Sequence, residues 1–443
     1  MQHIVIIGNG IAGITAARHI RKLSDHKITV ISGETDHFFS RTALMYIYMG
    51  HMKYENTKPY EDWFWAKNKI DLKRAWVTAI DFDEKEIKFE AEQAIKYDKL
   101  ILATGSQSNR FGWPGQDLKG VQSLFSYQDL ELMEENTHGT HHAVVIGGGL
   151  IGVEMAEMLH SRGIHVTYLI REDRFWGNVL PEEEGLLITR HLLENGIDLR
   201  KETELEEILD DGSGGVKGIK TKAGEIIECQ FVGLTVGVHP NVDLVKETVV
   251  ETGRGILVDE FLQTNVPDVY AIGDCAQLKN PPAHRRPIEA VWYVGRMMGE
   301  AVAHTVTGKN TKYKPGIWFN SAKFFDIEYQ TYGTVLAGPT EGISEFYWEG
   351  SDAKRCIKVA YETETKRVRG VNLFGIRSRH EVWNEWLEKE RTLDYVMQHL
   401  PKANFDPEFF TRWEGDIQKK YNDEFPEHSV AVRKRNFLER LFA

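Results

Sequence analysis

Two short stretches of this chain have the residue types and spacing to hold a dinucleotide: "IGNGIAG" at residues 7–13 and "IGGGLIG" at residues 146–152. Each carries G-x-G-x-x-G, with Gly8, Gly10 and Gly13 in the first and Gly147, Gly149 and Gly152 in the second. The first glycine of such a loop permits a tight turn. The second lets the backbone approach a pyrophosphate, and the third lets helix and strand pack closely. The phosphates then face free N–H groups and the positive end of a helix dipole. The pattern is informative only between a strand and a helix. Here "HIVII" (3–7) is the apolar run of a strand covered on both faces, and "ITAARHIRKL" (14–23) has helical spacing. A second strand, "KITVIS", ends next to Glu34, an acid placed to bind a ribose hydroxyl.

The stretch "HAVVIGGGLIGVEMAEMLHSRGIHVTYLI" repeats the same grammar, but Arg171 and Arg174 follow its last strand where an acid would mark NADH. Arginine can bind a 2′-phosphate bidentately, so NADPH is favoured. NADH remains the alternative, because Glu172 and Asp173 can pair with these arginines and Gly152 stands where NADPH sites often have alanine. Two complete units imply two dinucleotides. The simplest chemical reason is electron relay between a nucleotide that comes and goes and a flavin that stays.

The bulk properties set the frame. A chain of 443 residues, 42% hydrophobic, is long enough for two to four domains. A formal charge of −12 argues against nucleic acid as a partner. No stretch approaches the ~20 apolar residues of a transmembrane segment. The first strand begins within two residues of Met1, so a signal peptide is not expected. Cys229, Cys275 and Cys356 lie far apart, which suits a reducing, cytoplasmic compartment without a disulfide framework.

Several motifs in order resemble the pyridine nucleotide-disulfide oxidoreductase superfamily, in particular its rubredoxin, ferredoxin and nitrite reductase-like FAD enzymes. Besides the two glycine loops, they are "YDKLILATGS" (97–106, with Thr104 and Gly105), "LTVGVHPN" (234–241, with Gly237) and "TNVPDVYAIGDCAQ" (264–277). The resemblance implies an α/β fold with two Rossmann-like domains and a carboxy-terminal α+β domain. FAD would lie on the first loop, with Asp274 binding its ribityl chain and Thr104, Gly105 and Gly237 lining the site. NADPH or NADH would lie on the second loop. The domains implied are 1–112 with 240–315 for FAD, 113–239 for NAD(P)H, and 316–443 as an interface domain, with a homodimer expected. Asp274 also follows an apolar strand and a glycine, at a carboxyl end where open α/β sheets bind ligands. It could equally be a helix N-cap.

Many members of the superfamily use a cysteine beside the flavin, in the stretch that is "HFFSRTALMY" (37–46) here. This chain has Arg41 near that place and no thiol, so disulfide and peroxide chemistry through sulfur is disfavoured. Glu154 corresponds to a glutamate beside nicotinamide and flavin in related reductases, where a lysine often pairs with it. Here Tyr46 or Met45 falls near the lysine's place, and Arg41 is the cation that could replace it. Trp292, in "IEAVWYVGRMMGEAV", resembles the helix covering part of the flavin, and is equally an ordinary core aromatic.

The segment "YEDWFWAKNKIDLKRAWVTAID" reads as a helix and a strand whose Trp63, Trp65 and Trp76 pack inward, and "DGSGGVKG" as a hairpin turn. After Pro315, "WFNSAKFF", "EYQTYGTV", "KRCIKVAYE" and "RVRGVNLF" alternate as antiparallel strands, and "SRHEVWNEWLEKERTLDYVMQHL" has helical spacing. "AHRRP" (283–287) and the tail "AVRKRNFLERLFA" are basic patches; the first could dock an acidic carrier, the second a partner or an anionic surface. The expected activity is hydride transfer from NAD(P)H to FAD, with electrons passed to a small rubredoxin- or ferredoxin-like carrier. The alternatives are a small acceptor such as oxygen or a quinone, and a redox-sensing flavoprotein that acts by binding partners.

Overall fold

A computed structural model describes residues 1–90, 93–405 and 411–432. The elements that concern the site are, in chain order, β1 (His3–Ile7), α1 (Ile11–Leu23), β2 (Lys27–Ser32), β3 (Ile70–Arg74) and β4 (Lys99–Leu102). Then come β5 (His142–Ile146), α2 (Leu150–Ser161), β6 (His165–Leu169), α3 (Glu182–Glu194), β7 (Phe231–Leu234), β8 (Val269–Ala271) and α4 (Trp292–Val306). The last five strands are β9 (Phe319–Phe324), β10 (Ile327–Gly333), β11 (Ile343–Glu349), β12 (Cys356–Glu362) and β13 (Val368–Phe374). The chain forms two compact units: Met1–Leu169 with Thr203–Pro315, and Ile170–Glu202 with Gly316–Ala443.

The first unit holds two parallel sheets. One has the order β8-β4-β1-β2-β3; the other runs β6-β5-β7 and ends on the short strand Val121–Gln122. The first strand of each Rossmann-like half, β1 or β5, is central in its sheet and its last four residues are buried. Both strands run directly into a glycine loop and a helix. In the first sheet, α1 lies against α4 where two small residues allow it. A side chain at Gly299 would press on the Ala12 carbonyl, and one at Gly295 would touch Ile11 and Ala12. "DGSGGVKG" forms the expected hairpin between Leu205–Asp210 and Val216–Thr221. The segment after residue 60 yields a short helix (Trp63–Lys67) and two strands, β3 and Val77–Asp81. Of its tryptophans only Trp65 packs as expected; Trp63 and Trp76 are exposed.

The second unit is an antiparallel sheet, β9-β10-β13-β12-β11, with helices packed on it. Four of its strands match the sequence expectation; β11 is an additional one. The expected long helix is two, His380–Glu388 and Leu393–His399. The break falls where Glu390 takes a left-handed φ of 47° and the Thr392 hydroxyl accepts from the Tyr395 N–H to cap the second helix. The basic tail from Arg433 onward lies outside the described residues.

A polar cluster inside this unit joins α3 to the sheet. The Lys358 ammonium, 1% exposed, is held by Glu183 at 2.6 Å and Glu345 at 2.9 Å. The Asn372 amide donates to Glu184 at 2.8 Å. Burial pushes the Glu184 carboxyl up to about 8, aided by the charges of Glu345 and Glu183 and opposed by Asn372 and Lys358. The folded chain therefore holds this proton more tightly than the unfolded chain. The resulting stabilisation is present in full below about 4.5 and is lost as pH rises through about 8. Each tenfold difference in proton affinity is worth about 1.4 kcal/mol. Urea midpoints should fall between pH 5 and 8.5, and Glu184→Gln should flatten that fall; an unchanged slope in the variant would show that Glu184 is not its source.

Candidate functional site

Both glycine loops are built by close approach of backbone. Gly8 has φ +115°, donates its N–H to the Ile31 carbonyl at 2.8 Å, and has no room for a side chain against the Ala103 carbonyl. A side chain on Gly13 would strike the Gly8 carbonyl. At Gly10 the opposite holds: nothing lies within 4 Å of where a Cβ would be. Gly10 also caps α1 without a side-chain hydrogen bond. The loop is therefore tight on the protein side and bare on the ligand side, as a pyrophosphate requires.

The second loop repeats this. Gly147 has φ +116° and abuts Thr235, and Gly152 abuts the Gly147 carbonyl and the Tyr168 hydroxyl, whereas Gly149 faces open space. Two hydroxyls not singled out in the sequence hold it: Tyr168 donates to the Gly147 carbonyl at 2.9 Å, and Thr235 to the Ile146 carbonyl at 2.8 Å. In the first loop the buried Asn9 does similar work, donating to the Thr35 carbonyl at 2.8 Å. A polar residue between two glycines is a weak sequence signal, because its partner lies 26 residues away.

Around the first loop the expected residues converge. Glu34 follows β2, and Arg41 grips its carboxylate with both terminal nitrogens, at 2.8 and 2.5 Å. The Tyr127 N–H adds a third bond at 2.9 Å, and Arg41 also donates to the Phe125 carbonyl at 2.5 Å. Arg41 is thus committed to Glu34, which departs from the expectation that it replaces the lysine partner of Glu154. Glu154 itself is half-buried on α2, one turn before the buried Glu157. Tyr46, near the lysine's place, lies on a short helix, Leu44–Tyr48, and stacks on His51.

Asp274 emerges after β8 through Gly273, and the Ser106 hydroxyl donates to it at 3.2 Å. Burial holds its carboxyl above the usual carboxylate range, opposed by that bond and by the charge of Arg41. The Thr104 hydroxyl donates to the Asn241 carbonyl at 2.7 Å. Gly105, φ +73°, faces open space, and the carbonyl of Gly237, φ +89°, accepts from the Asn109 N–H at 3.0 Å. Trp292 is half-buried at the first residue of α4, edge-on to Tyr293.

The chemistry excluded by position is equally definite. Cys229, Cys275 and Cys356 are each fully buried. Burial pushes the Cys229 thiol up to about 12 and raises those of Cys275 and Cys356 as well. No thiolate is available at either loop. Arg285 of the "AHRRP" patch is enclosed with Glu289 at 2.5 Å, which leaves Arg286 as the exposed arginine of that patch.

In the second unit, Arg171 is 73% exposed and pairs with Glu172 at 3.1 Å. Arg174 is turned into its own loop, donating to Asp173 at 2.9 Å and to the Gly177 carbonyl at 3.3 Å. Both intervening acids are paired as the charge pattern allows, and only Arg171 keeps an open guanidinium face.

Known proteins resemble this chain over most of its length. Residues 2–299 match the family model described as pyridine nucleotide-disulphide oxidoreductase. A nitrite reductase [NAD(P)H] of Bacillus subtilis is 32% identical over 280 residues, covering 62% of this chain but only 34% of that protein. A rubredoxin-NAD(+) reductase of Acinetobacter baylyi is 31% identical over 322 residues, covering 70% of this chain and 80% of that one. Among solved structures, a ferredoxin reductase of Rhodopseudomonas palustris superposes with a TM-score of 0.78 at 22% identity, covering 93% of this chain and 98% of that chain.

The two kinds of glycine should respond differently to substitution. Gly10→Val has room in the fold and should leave the melting temperature nearly unchanged while weakening FAD binding roughly tenfold or more. Gly13→Val should cost about 1–3 kcal/mol of stability through overpacking. Equal melting temperatures, or a Gly10→Val protein that retains FAD normally, would contradict the assignment of a ligand face at Gly10.

Proposed function

This chain belongs to the pyridine nucleotide-disulphide oxidoreductase family, and from that premise we propose that it is an NADPH-dependent FAD reductase serving a small electron-carrier protein, without a cysteine relay. The observation that carries the proposal is the pairing of two open glycine loops in one unit with three thiols that are all fully buried. A relay through sulfur needs a thiolate. With none available, direct transfer between the two nucleotides is the remaining route.

The residues fit FAD at the first loop. Gly8, Gly10 and Gly13 bare the amides of α1 for the pyrophosphate, and Glu34 with Arg41 supplies a fixed acid and cation beside it. Asp274, kept in place by Ser106, offers hydroxyl-binding oxygens, and the open face of Gly105 leaves backbone within reach. When bound, FAD supplies hydride acceptance and the release of electrons singly or in pairs. The protein's own part is to orient, to exclude water and to set the field. Glu154, half-buried on the helix that opens from the second loop, is the side chain proposed to tune that field.

Arg171, two residues after β6 in sequence, is the proposed ligand of a 2′-phosphate, which is the basis for preferring NADPH to NADH. Rubredoxin and ferredoxin reductases among the relatives support a small redox protein as acceptor. The alternative acceptor is oxygen, since an NADH oxidase of Methanocaldococcus jannaschii is also similar, at 29% identity. A cytoplasmic homodimer is proposed on the buried free thiols and on the strand-and-helix end domain that the family resemblance implies as an interface.

Stopped-flow mixing tests the reading. Flavin absorbance should bleach within seconds on adding NADPH, and the reduced protein should reoxidise faster with a rubredoxin or ferredoxin than with air. Air reoxidation at the carrier's rate would move the function to an oxidase. Arg171→Ala should raise the KM for NADPH roughly 10- to 100-fold, as expected for a lost charge-assisted pair, and leave NADH unaffected; equal effects on both would remove the NADPH preference.

A further inference from the structure

Trp76 is exposed where an inward-packed side chain was expected, with 72% of its surface open. The indole is nevertheless fixed. A Cβ built on Gly33 would meet Trp76 ring atoms at 2.6 to 2.8 Å, so one part of the ring lies directly on the Gly33 backbone. The Ala75 N–H donates to the Ser32 carbonyl at 3.0 Å, which extends the β2–β3 pairing to the residue before the tryptophan. Among the described residues no other ring or cation stacks on Trp76. One exposed ring is not by itself a binding patch, but an indole fixed on backbone with its outer face bare can receive a second flat ring.

Its position indicates which. β1, β2 and β3 are parallel neighbours in one sheet, and their carboxyl ends lie along one edge. Gly10, after β1, is the bare point for a pyrophosphate. Glu34, after β2, is the acid at the ribose distance. Gly33 and Trp76, after β2 and β3, come next along that edge. Along that edge the order is therefore Gly10, Glu34 and then Trp76, so a dinucleotide running from Gly10 past Glu34 heads toward the end of β3 that carries this indole.

We propose that Trp76 is the stacking platform for the adenine ring of FAD, held by Gly33 beneath one face and covering the purine with the other. The proposal rests on the assignment of FAD to the first loop. It also gives Gly33 a reason: any side chain there would lift the indole from its seat. A planar indole suits a purine because stacking works through the π-face, whatever the edge hydrogen bonds.

The experiment is titration of the FAD-free protein with FAD, followed by tryptophan emission and by flavin fluorescence, with the melting temperature of each FAD-free variant as the fold control. Trp76→Ala should weaken FAD binding about 5- to 150-fold, the range that stacking of one base is worth. Trp76→Phe, which keeps a ring, should stay within several-fold of wild type. AMP, which carries the adenine without the flavin, should compete with FAD on wild type and lose that ability on Trp76→Ala. FAD affinity unchanged in Trp76→Ala overturns the proposal, as does a Phe variant as weak as the Ala variant. Wild-type protein that binds AMP but not FAD would instead overturn the FAD assignment, and the stacking role toward FAD with it.

Discussion

The structure depends on one steric constraint, stated twice in the same chain: a helix must start against the end of a strand with no side chain between them. At Gly13 and at Gly152 even a methyl group would collide with the carbonyl of the loop's own first glycine. That closeness turns the first amides of each helix outward and leaves Gly10 and Gly149 with nothing in front of them. The capacity to bind phosphate is therefore a by-product of backbone packing. It costs no charged side chain and leaves no buried cation to compensate when the site is empty.

Everything else near the first loop refines that surface. Asn9 ties the end of β1 to the segment after β2, Ser106 ties the end of β4 to Asp274 after β8, and Thr104 holds the Asn241 backbone. Arg41 clamps Glu34 and reaches the Phe125 carbonyl, which links the first sheet's rim to the segment leading into the second half. The thiols, by contrast, are placed where they cannot act. Cys275 sits one residue from Asp274, yet its sulfur points to the carbonyls of Leu102 and Ile272 inside the sheet. Proximity in sequence to a cofactor motif is not access to the cofactor.

The fold and both loops were legible in the sequence because their determinants are local: an apolar run, three glycines, helical spacing. The positions of Glu34 and Asp274 were legible for the same reason, each lying at a fixed offset from a strand. What escaped was set by contacts distant in sequence. Arg41 reads in the sequence as a substitute partner for Glu154, but a closer acid, Glu34, takes both of its terminal nitrogens. Tyr168 and Thr235 look like ordinary strand residues until the sheet brings their hydroxyls to the second loop. Trp76 reads as core by type, and only the missing side chain of Gly33 shows why it lies on the surface. The helix after residue 378 reads as one because periodicity carries no information on a single left-handed residue, Glu390. The fifth strand of the end sheet, β11, was not anticipated, since its inward–outward alternation is blurred by Phe346 and Trp348 flanking the half-buried Tyr347.

The central claim is that all of the protein's redox capacity resides in its flavin. Anaerobic titration of the purified FAD-loaded protein with dithionite measures it directly, by counting electrons taken up per flavin before excess reductant appears. The account predicts two. An uptake of four, with half consumed before or beside flavin bleaching, would mean that a thiol pair or an oxidised cysteine shares the charge, and would contradict it.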